Sequence, residues 1–246
     1  MMMFCRVFAL VSAVLFVAAC DGSFGPFEPV DIAVESSFAE ADGPVAVAGD
    51  YAAVVGTVGT QRAVDLYVRK VSGWQKLQRL SARSPKRVDP WDFGNAVSMV
   101  GRYLAVSGRS NKGGPEGHGY ADIYERTDGV YVFQRSVTAT ESHVYPTDHP
   151  TFGDRLACFG QRLLVGVRRD LGYRGRAYLF NLSTGAREAE FNVPAIDPLA
   201  AYNQFGSAVA LSSDRVVIGQ DYEYATCPRT PCPSPVYVFR RDSSGA

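Results

Sequence analysis

The chain has 246 residues, with 25 basic and 25 acidic side chains, no net charge, 46% hydrophobic residues and 20% charged ones. This composition excludes disordered, collagen-like and coiled-coil chains, and the absence of net positive charge removes the footprint of a dedicated nucleic-acid binder. The length suits one large domain in the barrel or propeller range, or two small ones.

Residues 1–19 open with a short segment whose single charge is Arg6 and continue as a 13-residue apolar run over 7–19. A helix needs ~20 residues to span a bilayer, so this run suits the hydrophobic region of a signal peptide instead. It ends in Val17-Ala18-Ala19-Cys20, which resembles the bacterial lipobox: a branched residue and two small ones before the cysteine that takes the lipid. The resemblance implies that residues 1–19 are a lipoprotein signal peptide and that Cys20 carries acyl chains such as palmitate. The body would then be tethered to a membrane without a transmembrane helix, in the periplasm or at the cell surface. An ordinary secretory signal, with Cys20 paired to another cysteine, is the alternative. Asp21 is similar to the signal that keeps enterobacterial lipoproteins in the inner membrane. Residues 20–29, with Gly22, Gly25, Pro26 and Pro29, have the composition of a tether, and the domain is expected over 30–242.

Internal repetition governs the remainder of the chain. Phe93-Gly94, Phe152-Gly153 and Phe205-Gly206 recur 59 and 53 residues apart. After each pair come a second strand (103–106, 162–165, 215–218) and a third (121–124, 177–180, 236–239). A degenerate copy precedes them, with strands at 45–47, 51–55 and 64–67, and Ala41-Asp42 where the others have Phe-Gly. Fourth strands are read at 74–80, 131–137 and 189–193. These segments are short, rich in β-branched and aromatic residues, and bounded by Gly, Asn, Asp and Pro, as strands are.

The Phe-Gly pair and the third strand ending in Tyr or Phe resemble the FG-GAP repeat of integrin-α-like β-propellers over about residues 41–240. The resemblance implies an all-β fold of four blades, each a four-stranded antiparallel sheet, with Phe packed between blades and Gly allowing close backbone approach. A two-sheet sandwich with look-alike strands is the alternative. The fourth copy stops after its third strand, and residues 30–34 have the character of the missing strand. The expectation is therefore a monomer of four blades whose last blade is closed by this N-terminal strand, which would remove exposed edges. The competing arrangement is half of a larger ring completed by a second copy.

Connections from strand one to two and from three to four are tight turns, whereas those from two to three (108–119, 166–175, 219–235) and from four to one (81–92, 138–151, 194–204) are long. In antiparallel blades both long sets emerge at one end, and insertions gathered there mark a binding face. Trp91, His118, Tyr145 and Arg168 are candidate residues of that face, as are Tyr173, Tyr202, Tyr222 and Tyr224. Aromatics and arginines dominate interface hot spots, although such residues also pin their own loops. Cys227 and Cys232, separated by a Pro-rich tetrapeptide, favour a small disulfide loop over a metal site. Cys158, in an apolar strand, reads as a free thiol.

Calcium binding by integrin-type blades uses an Asp-rich loop between strands one and two. Here those loops lack the carboxylates, so no metal is carried over. There is no G-x-S-x-G, H-E-x-x-H or Walker A motif, and no cofactor is expected. The expected function is that of an anchored binding module for a protein or glycan. The alternatives are a polysaccharide hydrolase or lyase and an architectural subunit of an envelope complex.

Overall fold

The computed structural model describes residues 41–83, 93–108, 119–139, 152–170, 174–193, 204–221 and 234–240. The signal peptide, Cys20, the tether and the expected closing strand at 30–34 lie outside them. The described residues form four antiparallel sheets in chain order. Blade 1 is β1 (Ala41–Ala48), β2 (Tyr51–Val58), β3 (Gln61–Lys70) and β4 (Gly73–Ser81). Blade 2 is β5 (Phe93–Val100), β6 (Tyr103–Gly108), β7 (Tyr120–Thr127) and β8 (Val130–Val137). Blade 3 is β9 (Arg155–Phe159), β10 (Arg162–Val167), β11 (Arg176–Asn181) and β12 (Arg187–Phe191). Blade 4 has three described strands, β13 (Ala208–Leu211), β14 (Arg215–Gly219) and β15 (Val236–Arg240).

Within a blade each strand pairs antiparallel with its chain neighbour, and two-residue turns join the first strand to the second in blades 1, 2 and 3. Between β7 and β8, Asp128 and Gly129 take φ values of 51° and 83°, the positive pair that a two-residue hairpin loop requires. The innermost strands stand against one another in order, β1 on β5, β5 on β9 and β9 on β13, while the outer strands β4 and β8 barely meet. Sheets that touch at their first strands and splay outward are propeller blades. The fold is an all-β propeller of four blades.

Neighbouring blades bury each other's apolar faces in three clusters. Blades 1 and 2 enclose Ala53, Val55, Leu66, Phe93, Val97 and Leu104. Blades 2 and 3 enclose Ala105, Ile123, Phe152, Leu163, Val165 and Phe180. Blades 3 and 4 enclose Leu164, Leu179, Phe205, Val216 and Ile218. Phe93, Phe152 and Phe205 are each no more than 1% exposed. The glycines that follow them have φ of 76°, 86° and 91°, and each lies on the preceding blade. A Cβ would meet Val55 at Gly94, Ser107 at Gly153, and the Arg176 carbonyl at Gly206. The Phe-Gly pair is thus a steric lock between successive blades. Ala41 pairs with Gly56 as Phe93 pairs with Gly108, so blade 1 keeps the register and omits the lock.

One strand limit differs from the sequence expectation. The fourth strand of blade 3 is Arg187–Phe191 rather than 189–193, because the chain returns sooner from the third strand: Phe180 pairs with Arg187 where Tyr67 pairs with Lys76 and Tyr124 with Phe133. Phe152-Gly153 and Phe205-Gly206 precede their first strands, whereas Phe93-Gly94 opens β5. Cys158 is free. It is partly buried against the second cluster, its backbone N–H donates to Ser98 Oγ at 3.0 Å across the blade junction, and burial pushes its thiol up to about 12.

Equivalent buried aspartates in blades 1 and 2 have opposite electrostatics. Asp65 pairs with Arg79 across the sheet as Asp122 pairs with Ser136. Burial pushes Asp65 up, but hydrogen bonds from Arg79 and Lys76, each 2.6 Å, outweigh it and hold the carboxyl below its usual range. At Asp122 burial prevails over a hydrogen bond from Ser136 and the charge of Arg83, and the carboxyl is raised. Asp65 therefore contributes stability that is present above about pH 4 and is lost as pH falls through its lowered folded pKa. Asp122 has the reverse sign: its burial penalty is relieved as pH falls through its raised pKa. In urea denaturation at pH 7, Asp65→Asn is expected to cost roughly 1–2 kcal/mol, whereas Asp122→Asn is neutral or stabilising. Equal losses at both positions would overturn this assignment.

Candidate functional site

Strand register defines the end of the molecule from which the long connections leave. Phe93, Gly108 and Tyr120 align across blade 2. Arg155, Gly166, Ala177 and Phe191 align across blade 3, and Ala208, Gly219 and Val236 across blade 4. Both long sets of connections start and finish along these rows. The opposite end has tight turns such as Gly101-Arg102 and Gly160-Gln161. Blade 1 departs from the pattern, since β2 passes to β3 through Gly59-Thr60 alone.

Trp91, His118, Tyr145, Tyr173, Tyr202, Tyr222 and Tyr224 lie outside the described residues, as do Cys227 and Cys232. Arg168 is described, and it is engaged within the fold. Its Nε donates to Asp154 Oδ2 at 2.6 Å, and the Asp154 side chain is 0% exposed. Asn95, which follows the Phe-Gly pair of blade 2, donates from Nδ2 to Asp154 Oδ1 at 3.2 Å. Asp154 follows the Phe-Gly pair of blade 3, so one buried carboxylate ties two blades and the start of a long loop together. Removing one partner leaves a buried charge uncompensated. Arg168→Met is expected to cost roughly 3 kcal/mol in urea denaturation; a loss under about 1 kcal/mol would free Arg168 for a ligand.

A second buried carboxylate sits close by. Tyr178 donates from its hydroxyl to Asp170 Oδ2 at 3.1 Å. Arg176 Nε stands 3.7 Å from the same oxygen, and its Nη1 lies 3.0 Å from Glu190. Burial pushes Tyr178 up to about 12, so it stays a proton donor at any physiological pH. The Asp170 carbonyl accepts from the Gly175 N–H at 2.9 Å, and the Arg174 carbonyl accepts from the Phe205 N–H at 3.0 Å. The second loop of blade 3 is thereby clamped to the Phe-Gly lock of blade 4. Asp154 and Asp170 are thus each faced by an arginine. Among the described residues no group of three His, Cys, Asp or Glu side chains is placed to hold a metal.

One residue at this end escaped sequence reasoning. Gln220, directly after β14, is 3% exposed, yet neither its Nε2 nor its Oε1 has a hydrogen-bond partner. A buried amide in that state costs about 1–3 kcal/mol. Its position at the head of a long loop was the available signal.

The blades define a β-propeller protein. No family model matches the sequence, and no curated protein matches it. Among solved structures the chain is similar to the hydrazine synthase of Kuenenia stuttgartiensis, with 15% identity and a TM-score of 0.47, over 80% of this chain and 58% of that one. It is also similar to the β-propeller domain of the Trilobed protease from Pyrococcus furiosus, described as having an open velcro topology. There the identity is 9% and the TM-score 0.38, over 80% of this chain and 68% of that one. The chain therefore spans less than two thirds of the hydrazine synthase chain. Among the described residues no helix is long and apolar enough to cross a membrane.

Proposed function

We propose that this protein is a bacterial lipoprotein anchored through Cys20, whose FG-GAP-like propeller recognises a protein or glycan with its loop end. The observation that carries the reading is the asymmetry of the connections: long loops leave one end of the blades and tight turns close the other. A rigid scaffold that presents variable loops on one side is the usual design of a recognition module. The lipobox-like run before Cys20 supports the anchor, and the recurring Phe-Gly locks support the repeat. Binding rather than catalysis is favoured because Asp154 and Asp170, the buried carboxylates of this end among the described residues, are each engaged by an arginine. General acid or base work needs a carboxyl that can reach substrate.

Two measurements test it. Radiolabelled palmitate should enter the native chain and not Cys20→Ala; equal labelling removes the anchor. Pull-down from envelope extracts should recover a partner with the native chain that is lost with Trp91→Ala/Tyr222→Ala. Equal recovery of all partners by both removes the loop face.

A further inference from the structure

The outer faces of the first and last blades are apolar and bare. Val45 and Val47 on β1 are each 64% exposed, and Val236 and Val238 on β15 are 63% and 62% exposed. Their counterparts one blade along are covered. Val45 and Val47 correspond in register to Val97 and Met99, which are 8% and 7% exposed inside the cluster of blades 1 and 2. Val236 and Val238 correspond to Ala177 and Leu179, which are 0% and 7% exposed inside the cluster of blades 3 and 4. The rear of blade 1 and the front of blade 4 therefore carry the residue classes that elsewhere meet each other, at the same positions. Among the described residues no fourth cluster joins blade 4 to blade 1.

We propose that a second copy of this chain covers these faces. Blade 4 of each copy stacks on blade 1 of the other, and two such junctions close a ring of eight blades. The occupant follows from continuity with an interface the chain already uses three times, front of one blade on rear of the next. A front-to-rear contact is heterologous and must close or propagate. Two copies give eight blades, within the propeller range of four to eight, and three would exceed it. Ala41-Asp42 replaces the Phe-Gly lock at this junction, so it is the weakest in the ring and the point where the ring opens.

Disulfide trapping tests the junction, in a Cys20→Ala background so that acyl chains cannot associate the copies. Ser98 and Cys158 meet across the junction of blades 2 and 3, and their register equivalents are Ala210 on blade 4 and Val47 on blade 1. The Ala210→Cys/Val47→Cys chain should run at twice the 26.7 kDa chain mass on a non-reducing gel and return to single mass on reduction, with neither single variant doing so. Light scattering should give twice the chain mass for the Cys20→Ala protein. It should give one chain mass for Val45→Asp/Val47→Asp with unchanged circular dichroism, since these valines are exposed in the single copy. A disulfide within one chain would mean that the four blades close on themselves and would overturn the proposal. Single mass without any cross-link, or a ladder beyond two copies, would also overturn it.

Discussion

Gly206→Ala is expected to destabilise the propeller by about 2–5 kcal/mol, read as a lowered urea midpoint. Two effects add. A side chain at φ 91° lies in the left-handed region, which costs roughly 1–2 kcal/mol. The added Cβ would also stand 2.4 Å from the Arg176 carbonyl oxygen and 3.0 Å from the Val167 nitrogen. Both are backbone atoms of blade 3, so blades 3 and 4 must separate, an overpacking cost of roughly 1–3 kcal/mol. Gly101→Ala isolates the first effect. Gly101 has φ 54° and nothing within 4 Å of its would-be Cβ, and its loss should stay near about 1–2 kcal/mol. Equal losses at the two sites would mean that the Phe-Gly glycine serves the turn only, and the steric lock would be withdrawn.

Phe152→Ala should cost about 3–5 kcal/mol, the range for emptying a buried aromatic site. Its ring is 1% exposed, with centroids 6.1 Å from Tyr178 and 6.0 Å from Phe180, and it fills the space between blades 2 and 3. Strands that hold this cavity open leave little room for collapse. Phe159→Ala is the comparison: that ring is 44% exposed, and its removal should cost under about 1 kcal/mol. If Phe152→Ala proved as mild, the recurring phenylalanines would not be what joins the blades.

How much could be read in advance depended on the range of the interaction. The blade pattern was legible because its causes are local: hairpin turns need positive φ within two residues, and the Phe-Gly lock repeats as a dipeptide. Even the degenerate first copy aligned, since Ala41 takes the place of Phe93 in its ladder. Strand limits were less legible. The chain returns from β11 to β12 sooner than in the counterpart blades, so β12 begins two residues before the expected 189. The role of Arg168 was not legible at all, since its partner lies 14 residues away in the chain and that partner's second support, Asn95, a further 59. Asp65 and Asp122 occupy one repeat position with similar local sequence. Their opposite shifts arise from what the fourth strand places opposite them, Arg79 in one blade and Ser136 in the other. Gln220 had only its position at a loop entrance to mark it.

The amino-acid sequence by itself determined that the repeat region, about residues 41–240, is built of β-strands, repeats four times and gathers its long connections at one end. Those properties follow from alternation, turn chemistry and chain order. Only the tertiary structure decided which faces are covered, since coverage depends on what a neighbouring blade brings within a few ångströms. It placed Phe152 between two blades and Arg168 on a buried carboxylate, and it left Val45, Val47, Val236 and Val238 exposed, although the apolar residues at the same register positions in blades 2 and 3 are buried.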